Sequence, residues 1–258
     1  MTIAPLAGRL RALGLAAAGN TLDDLIALAT QKRWSPTQIL EHIADLEDKE
    51  RARKSLERRT TRSRLGKFKP VADFDWNWPT TIERSLVEGA VGLHFIEGAR
   101  NVVFVAPQGL GKTMLAQNVA HQAILAGHSV LFTTAAQMLL DLGGQESSRA
   151  LERRLHYYSK ISLLVIDEVG YLAFDSRNAD LLFQVVSRRY EKKSIVLTTN
   201  LAFKEWPTIF PNATCATALI DRIIHHADII AIEGKSYRLR EAEDDTARRK
   251  KAPVKTRT

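Results

Sequence analysis

The alternation of apolar and polar positions changes character twice along this chain. In the first stretch, apolar residues recur at helical spacing: Leu22, Leu25, Ile26, Leu28 and Ala29 form one stripe. Ser35-Pro36-Thr37-Gln38 then supplies a capping serine, a proline at the first helical position and a glutamine three residues after the cap. The helix it opens carries Ile39, Leu40, Ile43 and Leu46 on one face. Beyond Leu46 the stripe nearly stops, although good helix formers continue through Lys54. A helix that loses its apolar face and turns basic is expected to lie on something other than its own core, and Gly66 to Pro70 marks its end. From Asn101 to Tyr237 short apolar runs alternate with amphipathic ones. The pattern predicts strands at 102–105, 129–133, 162–166, 194–199 and 228–232, and helices at 112–126, 135–142, 148–159, 178–191 and 216–224. Strands of this kind separated by helices imply an α/β fold with a mostly parallel five-stranded sheet covered on both faces.

The same pattern divides the chain into a helical N-terminal domain (1–69), a connector and start of the core (70–100), the α/β domain (101–240) and a polar basic tail (241–258) expected to be disordered. In the connector, Phe74, Trp76 and Trp78 either anchor the segment on the next domain, the commoner role for such residues, or stack on nucleic-acid bases. At 258 residues and 45% hydrophobic, the chain can bury one medium core and a smaller appendage. The single cysteine, Cys215, excludes an intrachain disulfide and a cysteine-rich metal site and suits a reducing cytoplasm. Without a signal-peptide pattern or an apolar run approaching ~18 residues, a cytoplasmic protein with no membrane partner is expected. The pair His225-His226 has no carboxylate or cysteine at ligand spacing and is not read as a metal site.

Charge changes the picture more than composition does. Residues 49–69 hold ten Lys/Arg against two Glu, a net +8 that equals the net charge of the whole chain. A one-signed, self-repelling excess is the footprint of a polyanion partner rather than of a solvated helix face, which makes Arg51, Arg53, Lys54, Arg58, Arg59, Arg62 and Arg64 candidates for DNA contact.

The chemistry lies at three strand ends. After Val102–Val105 comes Ala106-Pro107-Gln108-Gly109-Leu110-Gly111-Lys112-Thr113, followed by Met114 and the rest of a helix. Backbone N–H groups of such a loop, Pro107 to Met114, converge on phosphate oxygens; Lys112 reaches the terminal phosphates and the Thr113 hydroxyl holds Mg²⁺. Ala106 stands where the pattern has its first glycine, at a cost of ~1 kcal/mol if that position needs φ > 0. The second strand ends in Asp167-Glu168, a costly pair of carboxylates at a buried strand end unless Asp167 meets Mg²⁺ while Glu168 orients an attacking water. The third ends in Asn200, able to hold the same water or the γ-phosphate. Lys-Thr, Asp-Glu and Asn at three carboxyl ends form the crevice of an open α/β sheet, here a site for a nucleotide and Mg²⁺.

These motifs, with Ala179–Gln184, Ser187–Glu191, Thr199–Trp206, Leu219–His226 and Ser236–Arg240, resemble the IstB family, helper ATPases of bacterial insertion-sequence transposition related to the DnaC helicase loaders within the AAA+ group. The resemblance spans about residues 10–240. It implies an arginine finger at Arg222 reaching the γ-phosphate of a neighbouring subunit, and a second sensor at Arg238 touching its own nucleotide. It also implies a helical insertion at 135–160 whose Arg149, Arg153 and Arg154 contact DNA or form an exposed face. The function implied is an ATPase that forms an ATP-dependent homo-oligomer on duplex DNA, remodels the target and recruits an IstA-type transposase. A DnaC-like helicase loader is the alternative; a small-molecule kinase is a third, disfavoured because Glu168 and Asn200 suit water activation.

Overall fold

The computed structural model describes residues 3–171, 173–211 and 213–243. Arg248-Arg249-Lys250-Lys251, expected in the tail, and Leu172 lie outside the described residues. Of the expected tail, residues 241–243 are helical and continue a final helix that begins at 237.

The chain falls into two compact units, Met1–Arg58 and Arg59–Thr258. The first contains helices α1 (Ile3–Ala12), α2 (Ala16–Asn20) and α3 (Leu22–Lys32) and most of α4 (Pro36–Ser63). Its small core uses Ala18, Leu22, Leu25 and Ala29. The predicted cap is in place: the Ser35 N–H donates to Gln38 Oε1 at 2.8 Å and the Gln38 N–H to Ser35 Oγ at 3.3 Å. The predicted stripes are only partly buried. Ile26 is 38% and Leu40 67% exposed, whereas Glu47, on the polar side of the pattern, is buried and accepts from the Ala18 N–H at 2.9 Å.

The boundary between the units lies inside α4, not at residue 69, because the last turns of the helix belong to the second unit. Arg59 Nε donates to the Ile124 carbonyl at 3.1 Å, and Ser63 and Leu65 are buried. The helix ends at Ser63, ahead of the predicted Gly66, with Arg64 in the left-handed region at φ 56°.

The second unit is built on a six-stranded sheet. Its elements are β1 (Thr81–Ile82), α5 (Arg84–Val91), α6 (His94–Glu97), β2 (Asn101–Val105), α7 (Lys112–Leu125), β3 (Val130–Thr134), α8 (Ala135–Gly143), α9 (Ser148–Lys160), β4 (Leu163–Val169), α10 (Ser176–Arg189), β5 (Ser194–Thr199), α11 (Ala213–Ile224) and β6 (Ala227–Glu233). Strand order is β1-β6-β2-β5-β4-β3. The five long strands are parallel, as expected, and the two-residue β1, from the segment read as a connector, adds an antiparallel edge on β6. Val103, Leu164, Ile166 and Leu197 share one cluster with α8, α9, α10 and α11. The buried face of α7 (Leu115, Ala116, Val119, Ala120, Ala123) also contacts the sheet but lies outside that cluster, so it covers the opposite face. At the far end of the strands, fully buried Arg189 donates to the carbonyls of Tyr158, Ile161, Ser162 and Ser194, fixing the entries to β4 and β5. No helix among the described residues is long and apolar enough to cross a membrane.

Candidate functional site

The carboxyl ends of β2, β4 and β5 open into a cavity of about 590 Å³. Gln108, Gly109, Leu110, Gly111, Lys112, Thr113 and Met114 line one wall, with Glu168, Asn200 and Arg238 converging on it. Gly109 (φ 80°) and Gly111 (φ 84°) take the left-handed conformation. They are also places of close approach: a Cβ on Gly109 would lie 2.1 Å from Ser236 Oγ, and one on Gly111 would lie 2.7 Å from the Phe74 ring. Ala106 is not among the positive-φ residues, so alanine carries no conformational cost there and the missing glycine is harmless.

Lys112 folds back on the loop, its Nζ donating to the carbonyls of Ala106 (2.6 Å) and Pro107 (2.8 Å). Burial holds its ammonium below the ordinary lysine pKa, against the pull of Asp167, with Arg238 adding to the depression. The second strand departs from expectation in an informative way. β4 continues past Ile166 to Val169, and its register against β5 jumps: Ile166 pairs with Leu197 and Val169 with Thr199. Asp167 and Glu168 therefore stand together opposite Thr198, the geometry of a β-bulge. Asp167 is buried at 3% exposure and accepts from the hydroxyls of Thr113 (3.2 Å) and Thr198. Glu168 takes φ 61°, is exposed and donates its N–H to Thr198 Oγ1 at 3.0 Å. One residue of bulge thus separates two adjacent carboxylates into a buried one and an open one. The described hydrogen-bond partners of Asp167 are neutral hydroxyls, which suits the Thr113–Asp167 pair to a divalent cation such as Mg²⁺.

Several further cavity residues lie outside the strand-end motifs. Asp73, Phe74, Asp75, Trp78 and Tyr237 line the cavity because segments far apart in the chain close over the phosphate loop. Trp78 Nε1 donates to the Lys235 carbonyl at 2.8 Å, its ring meets Tyr237 edge-on at 6.0 Å, and Arg240 lies over it at 4.4 Å. The Tyr237 N–H donates to the Gly109 carbonyl at 2.9 Å. The connector aromatics are thus anchors. Thr198 is one of two buried threonines before Asn200 and gains its meaning only from the bulge opposite it.

Arg222 lies on α11, outside this cavity, with its guanidinium 4.5 Å from the Phe183 ring centre and donating to the Ala218 carbonyl at 3.2 Å. Among the DNA candidates, Arg51, Arg58, Arg62, Arg64, Arg149 and Arg153 are exposed. Others are engaged within the fold. Arg53 and Lys54 pair with Glu50 on the same helix at 2.8 and 3.3 Å, Arg59 binds the Ile124 carbonyl, and Arg154 Nε donates to Asp141 at 2.5 Å while stacking over Tyr157 at 4.4 Å. Asp141 also accepts from Tyr158 at 2.6 Å, so Arg154 clasps α9 to α8.

Comparison with known proteins supplies the context. A family model described as IstB-like ATP binding protein matches residues 7–245. A protein of insertion sequence IS21 from Pseudomonas aeruginosa, named for ATP binding, is 36% identical over 220 residues, covering 85% of this chain and 83% of the relative. Its counterpart in IS232 of Bacillus thuringiensis subsp. berliner is 38% identical over 181 residues, 69% of this chain and 72% of the relative. Among solved structures, DnaI superposes with a TM-score of 0.52 at 19% identity, covering 65% of this chain and 92% of DnaI. The replication initiator DnaA bound to AMPPCP and single-stranded DNA gives 0.51 at 16% identity, covering 71% of this chain and 58% of DnaA. At such identities the likeness establishes the shared AAA+ fold.

Proposed function

Because the chain belongs to the IstB-like ATP-binding proteins of insertion sequences, we propose that it hydrolyses ATP and uses the nucleotide to control its assembly on duplex DNA. The observation that carries this reading is the bulge in β4, which keeps Asp167 on Thr113 and turns Glu168 out into the cavity beside Asn200.

Lys112, presently held by two loop carbonyls, exchanges them for the terminal phosphates, a trade its depressed pKa favours because the phosphates restore a full partner charge. Thr113 and Asp167 would hold Mg²⁺, which when bound neutralises charge on the β- and γ-phosphates. Glu168 orients a water in line with the γ-phosphorus and accepts its proton as the bond to the β-phosphate oxygen breaks, with Asn200 steadying the water or the γ-phosphate. Arg238, which lines the cavity, would read the chain's own nucleotide. Arg222, outside its own cavity, fits the finger supplied to a neighbouring subunit, so the γ-phosphate is a contact made only in the assembled state. The exposed arginines of α4 would meet DNA phosphates, giving binding that depends on salt more than on base sequence. The assembled form on target DNA would recruit an IstA-type transposase, and hydrolysis would release it.

The test is phosphate release with and without duplex DNA. Glu168→Gln should bind ATP, stay assembled on DNA and turn over about 10²–10⁴-fold more slowly. Normal turnover in this variant removes the water-activation role, and turnover indifferent to DNA in the parent removes the coupling.

A further inference from the structure

We propose that Glu191, His225 and His226 form a surface site for a divalent transition metal such as zinc. The sequence offers only two adjacent histidines; the fold brings a carboxylate to them. Glu191 follows the C-terminal end of α10, and the histidines sit between α11 and β6. One ligand atom from each of the three residues lies within 4.8 Å of the others. His226 Nε2 is already 3.2 Å from Glu191 Oε1. Ligand atoms each ~2.1 Å from one tetrahedral ion stand roughly 3 to 3.5 Å apart, so that pair is at coordination spacing and only modest side-chain movement is needed for the third.

The chemistry of the set is specific. Two imidazoles and one carboxylate make a borderline donor group that prefers zinc, nickel or copper over magnesium or calcium, and three protein ligands leave one position for water. The surroundings support it. The Tyr190 hydroxyl lies 2.7 Å from His225 Nδ1, the kind of outer contact that orients a histidine ring at metal sites. The two imidazole rings stand 4.0 Å apart, centre to centre. All three ligands are accessible from solvent, so no buried charge has to be exposed for the metal to enter. A bound ion would tie the end of α10 to the end of α11, the two helices between which Arg222 rests on Phe183.

The experiment titrates the full chain, free of nucleotide, with Zn²⁺ in competition with a chromogenic chelator, and repeats the titration with Co²⁺ read by its visible spectrum. The expected result is one tight Zn²⁺ per chain. Affinity should fall at least 10-fold in His226→Ala and in Glu191→Gln, the lower limit seen even when only an outer partner is removed. Cys215→Ser should bind zinc as the parent does. Zinc should raise the melting temperature of the parent and of Cys215→Ser but not of the His225→Ala/His226→Ala double variant, whose metal-free melting temperature should match the parent's because the side chains are on the surface. Equal zinc affinity in the parent and the double variant overturns the site, as does loss of binding in Cys215→Ser.

Discussion

The two units of this chain treat their surfaces in opposite ways. In the second unit the central strands are buried almost without exception: every residue of β5 and all but one of β4 are enclosed, and the one exposed residue is Glu168. In the N-terminal unit the core is four small or medium side chains, while Leu6, Leu13, Ile26 and Leu40 remain exposed. A dense core holds chemistry still, and a single local irregularity, the bulge in β4, is then enough to aim two carboxylates. A thin core leaves apolar side chains of α1, α3 and α4 uncovered, so the same chain carries one part specified by dense packing and another that packing specifies only weakly.

The sharpest challenge to that contrast is Arg222, a residue of the second unit whose proposed role requires a second copy. Arg222→Ala should still bind ATP yet fall about 10³–10⁵-fold in hydrolysis rate, and mixing it with Lys112→Ala should restore part of the activity, since a competent pocket then meets a competent finger. Steady-state phosphate release at assembling concentrations checks this; full activity of Arg222→Ala alone would make the residue structural. Next in size, Leu164→Ala in the buried sheet should cost about 2–5 kcal/mol in chemical denaturation, whereas Leu40→Ala should stay within about 0.5 kcal/mol. Similar costs at the two positions would break the comparison outright. Neutralising the exposed Arg51, Arg58, Arg62 and Arg64 should lower the slope of log affinity for duplex DNA against log salt, by roughly 0.9 for each DNA phosphate no longer neutralised. Nucleotide binding should not change. An unchanged slope would assign the helix to a protein partner. The smallest effect concerns Glu50, whose hydrogen bond to Arg53 lowers its pKa from an ordinary 4.5 to about 2. A carboxylate depressed in the folded state stabilises it above the unfolded pKa, and that contribution fades as pH falls from about 4.5 through about 2. Helicity of the N-terminal unit should soften over that window, more in low salt than in high.

Much of the second unit is legible because its signals are local. The strands read as continuous apolar runs, and Lys112, Thr113, Asp167 and Asn200 fall at their ends, so the crevice follows from chain order alone. The pattern ends β4 too early, at Ile166, because the carboxylates of Asp167 and Glu168 interrupt the apolar run, while across the bulge Ile166 and Val169, three apart, face the same core cluster. Only pairing with β5 reveals why. The N-terminal stripes promise more burial than the fold provides, for the reverse reason. Periodicity places Ile26 and Leu40 on apolar faces, but nothing in the sequence says whether a face is covered. Likewise the pairing of Arg53 and Lys54 with Glu50 is visible as spacing, whereas the capture of Arg59 by Ile124 and of Arg154 by Asp141 depends on tertiary approach. Trp78 reads as an anchor from the sequence, but its pairing with Tyr237 is out of reach for the same reason, the two being neighbours only in space.

That long-range closure has a consequence for how the molecule comes into being. The phosphate loop is translated well before the residues that cover it: Tyr237, Arg238 and the Lys235 carbonyl that receives Trp78 come from the far side of β6. A nascent chain that has reached β5 therefore carries the cradle with only the N-terminal part of its cover, and the cavity closes only after β6 has been made. Nucleotide capture by a growing chain would report that translation has passed Arg238.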